Sequence, residues 1–189
     1  YIHWPFCESK CPYCDFNSHV SLKIDQKAWL KAYLKCLEIA SRKTTPRLLN
    51  TIFFGGGTPS LMNPEVVSEI IGKIKSLWTV SNELEITLEA NPSSVEANKF
   101  KDYQLAGINR LSVGVQALNN VDLKRLGRLH TATEAINAVE ISNSIFSQTS
   151  FDLIYARQDQ TIDEWSAELE RALRLQAGHI SLYQLTIEQ

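Results

Sequence analysis

Three cysteines near the start of the chain have the types and spacing to hold a metal centre. Cys7, Cys11 and Cys14 follow a C-x3-C-x2-C pattern. Soft thiolate ligands suit iron–sulfur clusters, zinc and copper(I). A cubane cluster normally takes four cysteines, one for each iron. Three cysteines would leave one iron without a protein ligand, and an open position on a metal is where chemistry takes place.

A structural zinc site is the main alternative for the same cysteines. His3 or His19 would then be the fourth ligand of a Cys3His site. A disulfide is disfavoured, because cysteines on one tight loop rarely meet the required geometry. Cys36 lies in a predicted helix, where we expect a small buried apolar residue. The spacing alone leaves the cluster and the zinc site open.

The rest of the chain alternates strands with helices. We predict strands at residues 1–4, 51–54, 84–90, 110–116, 149–155 and 179–185. Helices fill the gaps between them, and three of these helices begin with a capping-box pattern at Ser93–Glu96, Thr131–Glu134 and Thr161–Glu164. This order predicts an α/β fold with a parallel sheet, either doubly wound or barrel-shaped.

The pattern within single strands favours the barrel. In the third strand Leu84, Ile86 and Leu88 share one face, and Glu85, Thr87 and Glu89 share the other. A doubly wound sheet is covered on both faces and should be almost wholly apolar, whereas a barrel can turn a polar face inwards onto a ligand. A mixed α+β sheet with one solvated face is the remaining alternative.

In barrels of this kind the site lies at the carboxyl ends of the strands. Successive strand ends carry polar residues that we expect to converge: the cysteine loop, Gly55–Thr58, Glu89 with Asn91, Gln116, Asp152 with Tyr155, and Tyr183 with Gln184. For the glycine run we predict close backbone approach to a ligand, with free N–H groups that bind a carboxylate or hydroxyl. Arg128 and His130 do not lie at a strand end. By default we expect a surface arginine and a structural histidine at these positions.

Composition limits the function classes. The 189 residues are 44% hydrophobic and 21% charged, which is typical of one globular domain, and the net charge of −2 gives no sign of nucleic-acid binding. No apolar run approaches the roughly 20 residues of a membrane span, so membrane contact is expected only through a partner. Clustered cysteines without a signal peptide predict a cytoplasmic protein. The chain begins without Met and stops inside a predicted strand, so we expect residues 1–189 to be one core domain of a longer protein, with its C-terminal domain absent.

Seven segments of the sequence together resemble the radical S-adenosylmethionine (SAM) superfamily. They are Tyr-Ile-His-Trp-Pro-Phe-Cys7, the three-cysteine motif, Gly55-Gly-Gly-Thr-Pro59, Glu89-Ala-Asn-Pro92, Leu111-Ser-Val-Gly-Val-Gln116, Leu126-Gly-Arg-Leu-His130 and Phe151-Asp-Leu-Ile-Tyr155. Within the superfamily they are similar to the HemN/HemW branch, which holds oxygen-independent coproporphyrinogen III oxidases and heme chaperones. The resemblance implies a partial (βα)6 radical SAM barrel with parallel strands, truncated at the C-terminus.

The resemblance also implies cofactors and their ligands. Cys7, Cys11 and Cys14 would hold a [4Fe-4S] cluster whose open iron is chelated by SAM. The positions that match SAM-binding residues of the family are Tyr1, Tyr13, Gly56, Gly57, Thr58, Glu89, Gln116, Arg128 and Asp152. Gly56 and Glu89 would serve the cluster-bound molecule. A second SAM site, of the oxidase type, would use Tyr13, Gly57, Thr58, Gln116, Arg128 and Asp152.

Two departures bear on the function within this branch. The oxidases carry a fourth cysteine where this chain has Phe16, and the run Asp15-Phe-Asn-Ser-His19 resembles the chaperone type. We therefore predict a heme chaperone that binds heme and passes it to an acceptor protein, with an electron donor such as a flavodoxin. The alternative is an oxidase that decarboxylates porphyrinogen propionates with a 5′-deoxyadenosyl radical. The second departure is Ala156-Arg-Gln-Asp159, where the family usually has Gly-Leu-Pro-Gly, so we expect a different loop beside Asp152.

Overall fold

A computed structural model of the chain describes residues 1–21, 23–175 and 177–186. Its centre is one sheet of six strands, which are β1 (Ile2–Trp4), β4 (Leu48–Gly56), β5 (Thr79–Ala90), β6 (Arg110–Gln116), β7 (Gln148–Tyr155) and β8 (His179–Gln184). Across the sheet they lie in the order β1-β4-β5-β6-β7-β8. Every neighbouring pair is parallel. The predicted α/β fold is confirmed. The mixed α+β alternative is wrong, because a mixed sheet contains antiparallel pairs and all neighbouring strands of this sheet are parallel.

Each strand of this sheet pairs with the next one along the chain, so the sheet winds in one direction and does not reverse as a doubly wound sheet does. The crossovers carry the helices α1 (Gln26–Lys43), α2 (Pro64–Leu77), α3 (Ser94–Ala97), α4 (Phe100–Leu105), α5 (Asn120–Arg125), α6 (Ala132–Ile145) and α7 (Ile162–Leu173). The result is an open barrel whose strands all end at the same rim. No helix in the described ranges combines the length and apolar character needed to cross a membrane.

The two faces of the sheet differ as the sequence predicts. Leu88 and Leu111 are fully buried on the side that the helices cover. On the other face Arg110 donates to the Thr87 hydroxyl at 3.2 Å and to the Ser150 hydroxyl at 3.0 Å. These polar groups satisfy one another inside the barrel, and they form a floor beneath the rim.

Local signals account for several helix ends. Thr131 and Thr161 each form the predicted capping box with the glutamate three residues later. Asn63 is the N-cap of α2, although its side chain makes no cap hydrogen bond. Gly107 follows α4 with a φ of 108°, a left-handed conformation that glycine adopts without strain. These short-range patterns fix where the crossovers begin and end.

Three expectations about local structure need correction. Cys36 is exposed, because only one stripe of the peripheral helix α1 packs against the core and Cys36 lies beside it. The Ser93 box is not closed: the Ser93 hydroxyl accepts from the Glu96 amide, but the Glu96 carboxylate binds elsewhere. The cysteine loop is framed by two short strands that no periodicity could predict, β2 (Phe6–Cys7) and β3 (His19–Val20), which pair in parallel.

An aromatic cluster anchors the start of the chain beneath the cysteine loop. Trp4 is fully buried, and Phe6 meets Trp29 of α1 edge to face with ring centroids 5.2 Å apart. Tyr33 donates its hydroxyl to the His3 carbonyl at 2.5 Å. The helix α1 therefore fixes the two strands that lead into the cysteine loop.

Candidate functional site

A cavity of about 360 Å³ opens at the rim where the strands end. It is lined by all but one of the candidate site residues: Cys7, Cys11, Tyr13, Cys14, Gly56, Gly57, Thr58, Glu89, Gln116, Arg128 and Asp152. Asn91, Tyr183 and Gln184 also line it, so six strand ends contribute to one site. Tyr1 does not line the cavity. It is 73% exposed, and its hydroxyl lies 3.1 Å from Nδ1 of His3.

Tyr155 is the exception among the strand-end residues. Its ring packs against Trp165 of α7 with centroids 5.6 Å apart, and the side chain is outside the cavity lining. In a strand, alternate residues point to opposite faces. Asp152 and Ile154 line the cavity, so the neighbouring Tyr155 faces the helices instead.

The cysteine loop is held at both ends by backbone hydrogen bonds. The His19 amide donates to Pro5 O at 2.7 Å, and the Ser21 amide donates to Cys7 O at 3.1 Å. Within the loop the Cys14 amide donates to Cys11 O at 3.1 Å. All three cysteines are half-buried free thiols facing the same cavity. Burial raises the pKa of the Cys14 thiol, and Cys11 and Cys7 add to that rise.

The histidines of the zinc alternative are placed elsewhere. Nε2 of His3 lies 2.9 Å from Asn17 O and its Nδ1 bonds the Tyr1 hydroxyl, while His19 is exposed. Neither of them lines the cavity. Among the described residues no group of three or more His, Cys, Asp or Glu is arranged to hold a single metal ion. Three thiols around one cavity fit a cluster better, because each cysteine then binds a different iron.

The glycine loop packs directly against the cysteine loop. A Cβ on Gly57 would lie 2.5 Å from Phe6 O and 3.0 Å from Cys7 Sγ, and a Cβ on Gly56 would lie 2.5 Å from His3 Nδ1. Gly56 also has a φ of 116°. Glycine is therefore required at both positions. The close approach that the structure shows is to the start of the chain and the cysteine loop, and close approach to a ligand stays a prediction.

The prediction that this loop offers free N–H groups is wrong. The Gly57 amide donates to Trp4 O at 2.6 Å, and the Thr58 amide donates to Phe6 O at 2.7 Å. The Gly56 amide donates to Oε2 of Glu89 at 3.3 Å. The Gly57 and Thr58 amides extend the pairing between β4 and the start of the chain, and the Gly56 amide is taken by Glu89. The loop can therefore offer a ligand its carbonyls, its shape and the Thr58 hydroxyl.

Two carboxyl groups, of Glu89 on β5 and Asp152 on β7, face the cavity from the strands on either side of β6. Burial raises the pKa of Glu89 to about 7, and the negative charge of Asp152 contributes to that rise, whereas the Gly56 amide opposes it. Burial also raises the pKa of Asp152, against hydrogen bonding from Ser181 and the charge of Arg110. A cationic group of a ligand bound beside these two partly desolvated carboxyl groups would stabilise their ionised form.

Gln116 and His130 occupy special positions on the cavity wall. Gln116 ends β6 with a φ of 71°. A Cβ on Gly114 would lie 3.0 Å from Nε2 of the Gln116 side chain. His130 is buried, with Nε2 3.1 Å from Val115 O. Burial and the neighbouring Arg128 lower the pKa of His130 to about 4. A neutral His130 that bonds the barrel wall agrees with its predicted structural role.

The sequence did not identify Glu96 as part of this site. Glu96 is 3% exposed and lines the cavity, and it accepts hydrogen bonds from the Ser60 hydroxyl and, at 3.0 Å, from the Asn91 amide. Burial raises its pKa. Its position three residues after Ser93 is what a capping box requires, so nothing local distinguishes that role from the one observed.

A charge network stabilises the loop that follows β7. Ala156 and Asp159 adopt positive φ values of 54° and 59° without being glycine. Arg157 is buried between two acids: it bonds Asp122 at 3.0 Å and also binds the Glu168 carboxylate. Asp152 still lines the cavity beside this loop.

Comparison with known proteins gives a consistent group of relatives. A family model described as the Radical SAM superfamily matches residues 1–172. The heme chaperone HemW of Haemophilus influenzae is 43% identical over 194 residues, covering 100% of this chain and 51% of that protein. The mitochondrial radical S-adenosyl methionine domain-containing protein 1 of Bos taurus is 35% identical over 190 residues, covering 100% of this chain and 43% of that protein.

A solved structure shares the architecture. Coproporphyrinogen III oxidase (HemN) from Escherichia coli, described as a radical SAM enzyme, superposes with a TM-score of 0.88 at 25% identity, covering 98% of this chain and 43% of that one. The chain spans about half the length of the curated relatives that it matches.

Proposed function

Because this chain belongs to the radical SAM superfamily, we propose that Cys7, Cys11 and Cys14 hold a [4Fe-4S] cluster and that the same cavity binds SAM. The single observation that carries this proposal is the contact between the cysteine loop and the glycine loop, where a Cβ on Gly57 would lie 3.0 Å from Cys7 Sγ. A ligand bound to an open iron would therefore lie against Gly56–Thr58 and Glu89. Residues 1–189 are in this proposal the core domain of the family.

The chain's own residues suit the charges of SAM. Glu89 and Asp152 present carboxyl groups to a ligand that carries a cationic sulfonium and an amino group with N–H donors. Gly56 fixes Glu89 through its amide, so the acid is already oriented when the ligand arrives. When bound and reduced, the cluster supplies the electron that cleaves a sulfonium C–S bond. The barrel floor and the cysteine loop orient the ligand and limit access of water.

We propose one SAM molecule for this cavity. Three of the five N–H groups of Arg128 are already engaged by Cys11 Sγ, Asn91 Oδ1 and Gly114 O, so this arginine has fewer donors to offer the carboxylate of a second ligand. Tyr13, Gly57, Thr58 and Gln116 then contribute walls around the first molecule. Tyr1 contributes from outside the cavity, through its bond to His3.

For the whole protein we propose a heme chaperone. The support is the match to proteins named heme chaperone HemW, at 43% and 40% identity across the chain, together with Phe16 at the position where the oxidases carry a fourth cysteine. It would bind heme, accept an electron from a donor such as a flavodoxin and deliver the heme to an acceptor protein. We place it in the cytoplasm, with membrane contact only through that acceptor.

The test compares two ligands on the anaerobically reconstituted whole protein. We expect a heme Soret band on addition of heme, and no release of 5′-deoxyadenosine with SAM and a reductant unless an acceptor is present. Release of 5′-deoxyadenosine together with decarboxylation of coproporphyrinogen III, and no heme band, would favour the oxidase that the structural match to HemN also allows.

A further inference from the structure

Arg128 lies between the cysteine loop and the ends of two strands. Its Nη1 is 3.5 Å from Cys11 Sγ, and its Nη2 donates to Asn91 Oδ1 at 2.7 Å and to Gly114 O at 3.0 Å. Its Nε is buried and has no hydrogen-bond partner within the described part of the chain. The guanidinium is thus held by groups on two strand ends while one of its N–H groups is directed at a cysteine sulfur.

The residue before Arg128 allows this approach. Gly127 has a φ of 70°, and a Cβ at this position would lie 2.7 Å from Cδ of Pro12. Pro12 directly follows Cys11 in the cysteine loop. The segment after α5 therefore packs against the cysteine loop at a distance that only glycine permits, and this contact places the next side chain on Cys11.

Asn91 fixes the guanidinium, and other residues in turn fix Asn91. Its Nδ2 donates to the Thr58 hydroxyl at 3.3 Å, and its backbone amide donates to the buried Glu96 at 3.0 Å. The Ser60 hydroxyl donates to the same carboxylate oxygen of Glu96. Since a guanidinium has no acceptor, the amide oxygen of Asn91 must face Arg128, and this arrangement satisfies that requirement.

A cationic hydrogen bond to a cysteine ligand changes the energy of an iron–sulfur cluster. Negative charge on the sulfur is stabilised by the donor, and the reduced cluster carries one more electron than the oxidised one. The reduced state therefore gains more, and the reduction potential rises. Arg128 contacts one of the three cysteines, so its effect is directed at the iron bound by Cys11.

We propose that Arg128 is a positioning residue for the cluster: through its hydrogen bond to Cys11 it raises the midpoint potential, and Glu96 acts on it through Asn91. This inference rests on the proposed [4Fe-4S] cluster. It differs from the role that the resemblance gives Arg128, which is contact with SAM. The two roles separate by experiment, because the midpoint potential can be measured without SAM.

The experiment is a redox titration of the reconstituted chain in the absence of SAM, followed by visible absorbance and EPR. Arg128→Gln should shift the midpoint potential to more negative values, and Arg128→Lys should retain part of the difference. The matched control is Arg125→Gln, which removes the same charge from a 44% exposed side chain three residues away and should leave the potential unchanged.

Variants of Glu96 test the inference independently, because Glu96 holds Asn91 and Asn91 holds Arg128. Glu96→Gln keeps an oxygen that can accept from Ser60 and Asn91, so it should retain the wild-type potential, whereas Glu96→Ala should shift the potential in the direction of Arg128→Gln. Iron and sulfide content is measured for each variant. If Arg128→Gln takes up no cluster, the two Glu96 variants decide: a negative shift in Glu96→Ala alone supports the proposal, and equal potentials overturn it.

The possible failures can be told apart. A wild-type chain that binds no iron and sulfide overturns the proposed function itself. A wild-type chain that binds the cluster, with an Arg128→Gln variant of equal potential, overturns only this inference. Loss of SAM affinity in Arg128→Gln at an unchanged potential would assign Arg128 to SAM binding instead.

Discussion

The Gly56 amide donates a hydrogen bond to the Glu89 carboxylate at 3.3 Å, so the glycine loop after β4 and the acid at the end of β5 act as one unit. Each is placed by a different strand, and the parallel register of those strands brings them together. A ligand that reaches the glycine loop therefore meets an acid whose position is already fixed.

Binding of SAM should depend on the protonation of Glu89. Its pKa is raised to about 7, mainly by burial, so the carboxyl is largely protonated at lower pH. The sulfonium charge and the amino N–H donors of SAM favour the carboxylate, so binding releases a proton from Glu89 and the affinity should rise between about pH 6 and pH 8. Calorimetry in buffers of different ionisation enthalpy measures the affinity for SAM and the number of protons that binding releases. In Glu89→Gln the affinity should fall at least about tenfold at the upper pH and lose this pH dependence. An equal pH slope in this variant would contradict the assignment.

The same group predicts how the stability of the ligand-free chain varies with pH. The pKa of Glu89 in the folded chain, about 7, lies above the ordinary value of 4.5. Its contribution to the free energy of unfolding is therefore fully present below the unfolded-state pKa and is lost as pH rises through about 7. Urea denaturation should show that wild type loses stability relative to Glu89→Gln as the pH rises from 4.5 to about 7. Parallel curves would contradict the raised pKa.

Gly57→Ala should disrupt the junction of the two loops. The added Cβ would lie 2.5 Å from Phe6 O, a backbone atom that cannot move freely, so we expect a loss of about 1–3 kcal/mol in the free energy of unfolding and reduced cluster uptake. The matched control is Gly72→Ala in α2, where a Cβ meets nothing within 4 Å. That change should stabilise the helix by up to about 1 kcal/mol. Equal behaviour of the two variants would show that the loops are not packed in this way.

Arg157→Ala should be strongly destabilising, because it leaves the carboxylates of Glu168 and Asp122 without their cation. The side chain of Arg157 is 4% exposed, and removal of one member of a buried ion pair costs about 3–5 kcal/mol. Arg174→Ala is the control. Its side chain is 75% exposed in a pair with Glu170, and we expect a change below about 1 kcal/mol. A small effect of Arg157→Ala on urea denaturation would mean that the network does not hold the loop after β7.

Local signals in the sequence predicted much of the fold. The alternation of strands and helices predicted the parallel sheet, and the boxes at Thr131 and Thr161 marked their helices. The family resemblance carried by the motifs is confirmed. In a parallel sheet all carboxyl ends meet at one edge, so the order of strands alone was enough to assign residues far apart in sequence to one cavity.

Tertiary contacts set the limits of that prediction. The Ser93–Glu96 pattern is the same whether Glu96 caps its own helix or binds Asn91 and Ser60, and only packing decides between the two. The amides of the glycine loop looked free because their acceptors, Trp4 O and Phe6 O, lie about 50 residues away in the chain. The default expectation that Arg128 is a surface arginine is wrong: it lines the cavity, because its contact with Cys11 depends on Gly127 packing against Pro12.

The most direct test of the central claim is the EPR spectrum of the anaerobically reconstituted and reduced chain, recorded before and after addition of SAM, with iron and sulfide analysed on the same samples. We predict a [4Fe-4S] signal that SAM changes, lost in Cys7→Ser, Cys11→Ser and Cys14→Ser and retained in Cys36→Ser, whose cysteine is exposed on α1. A colourless chain with bound zinc and no sulfide, or a cluster signal that SAM leaves unchanged, would contradict the account.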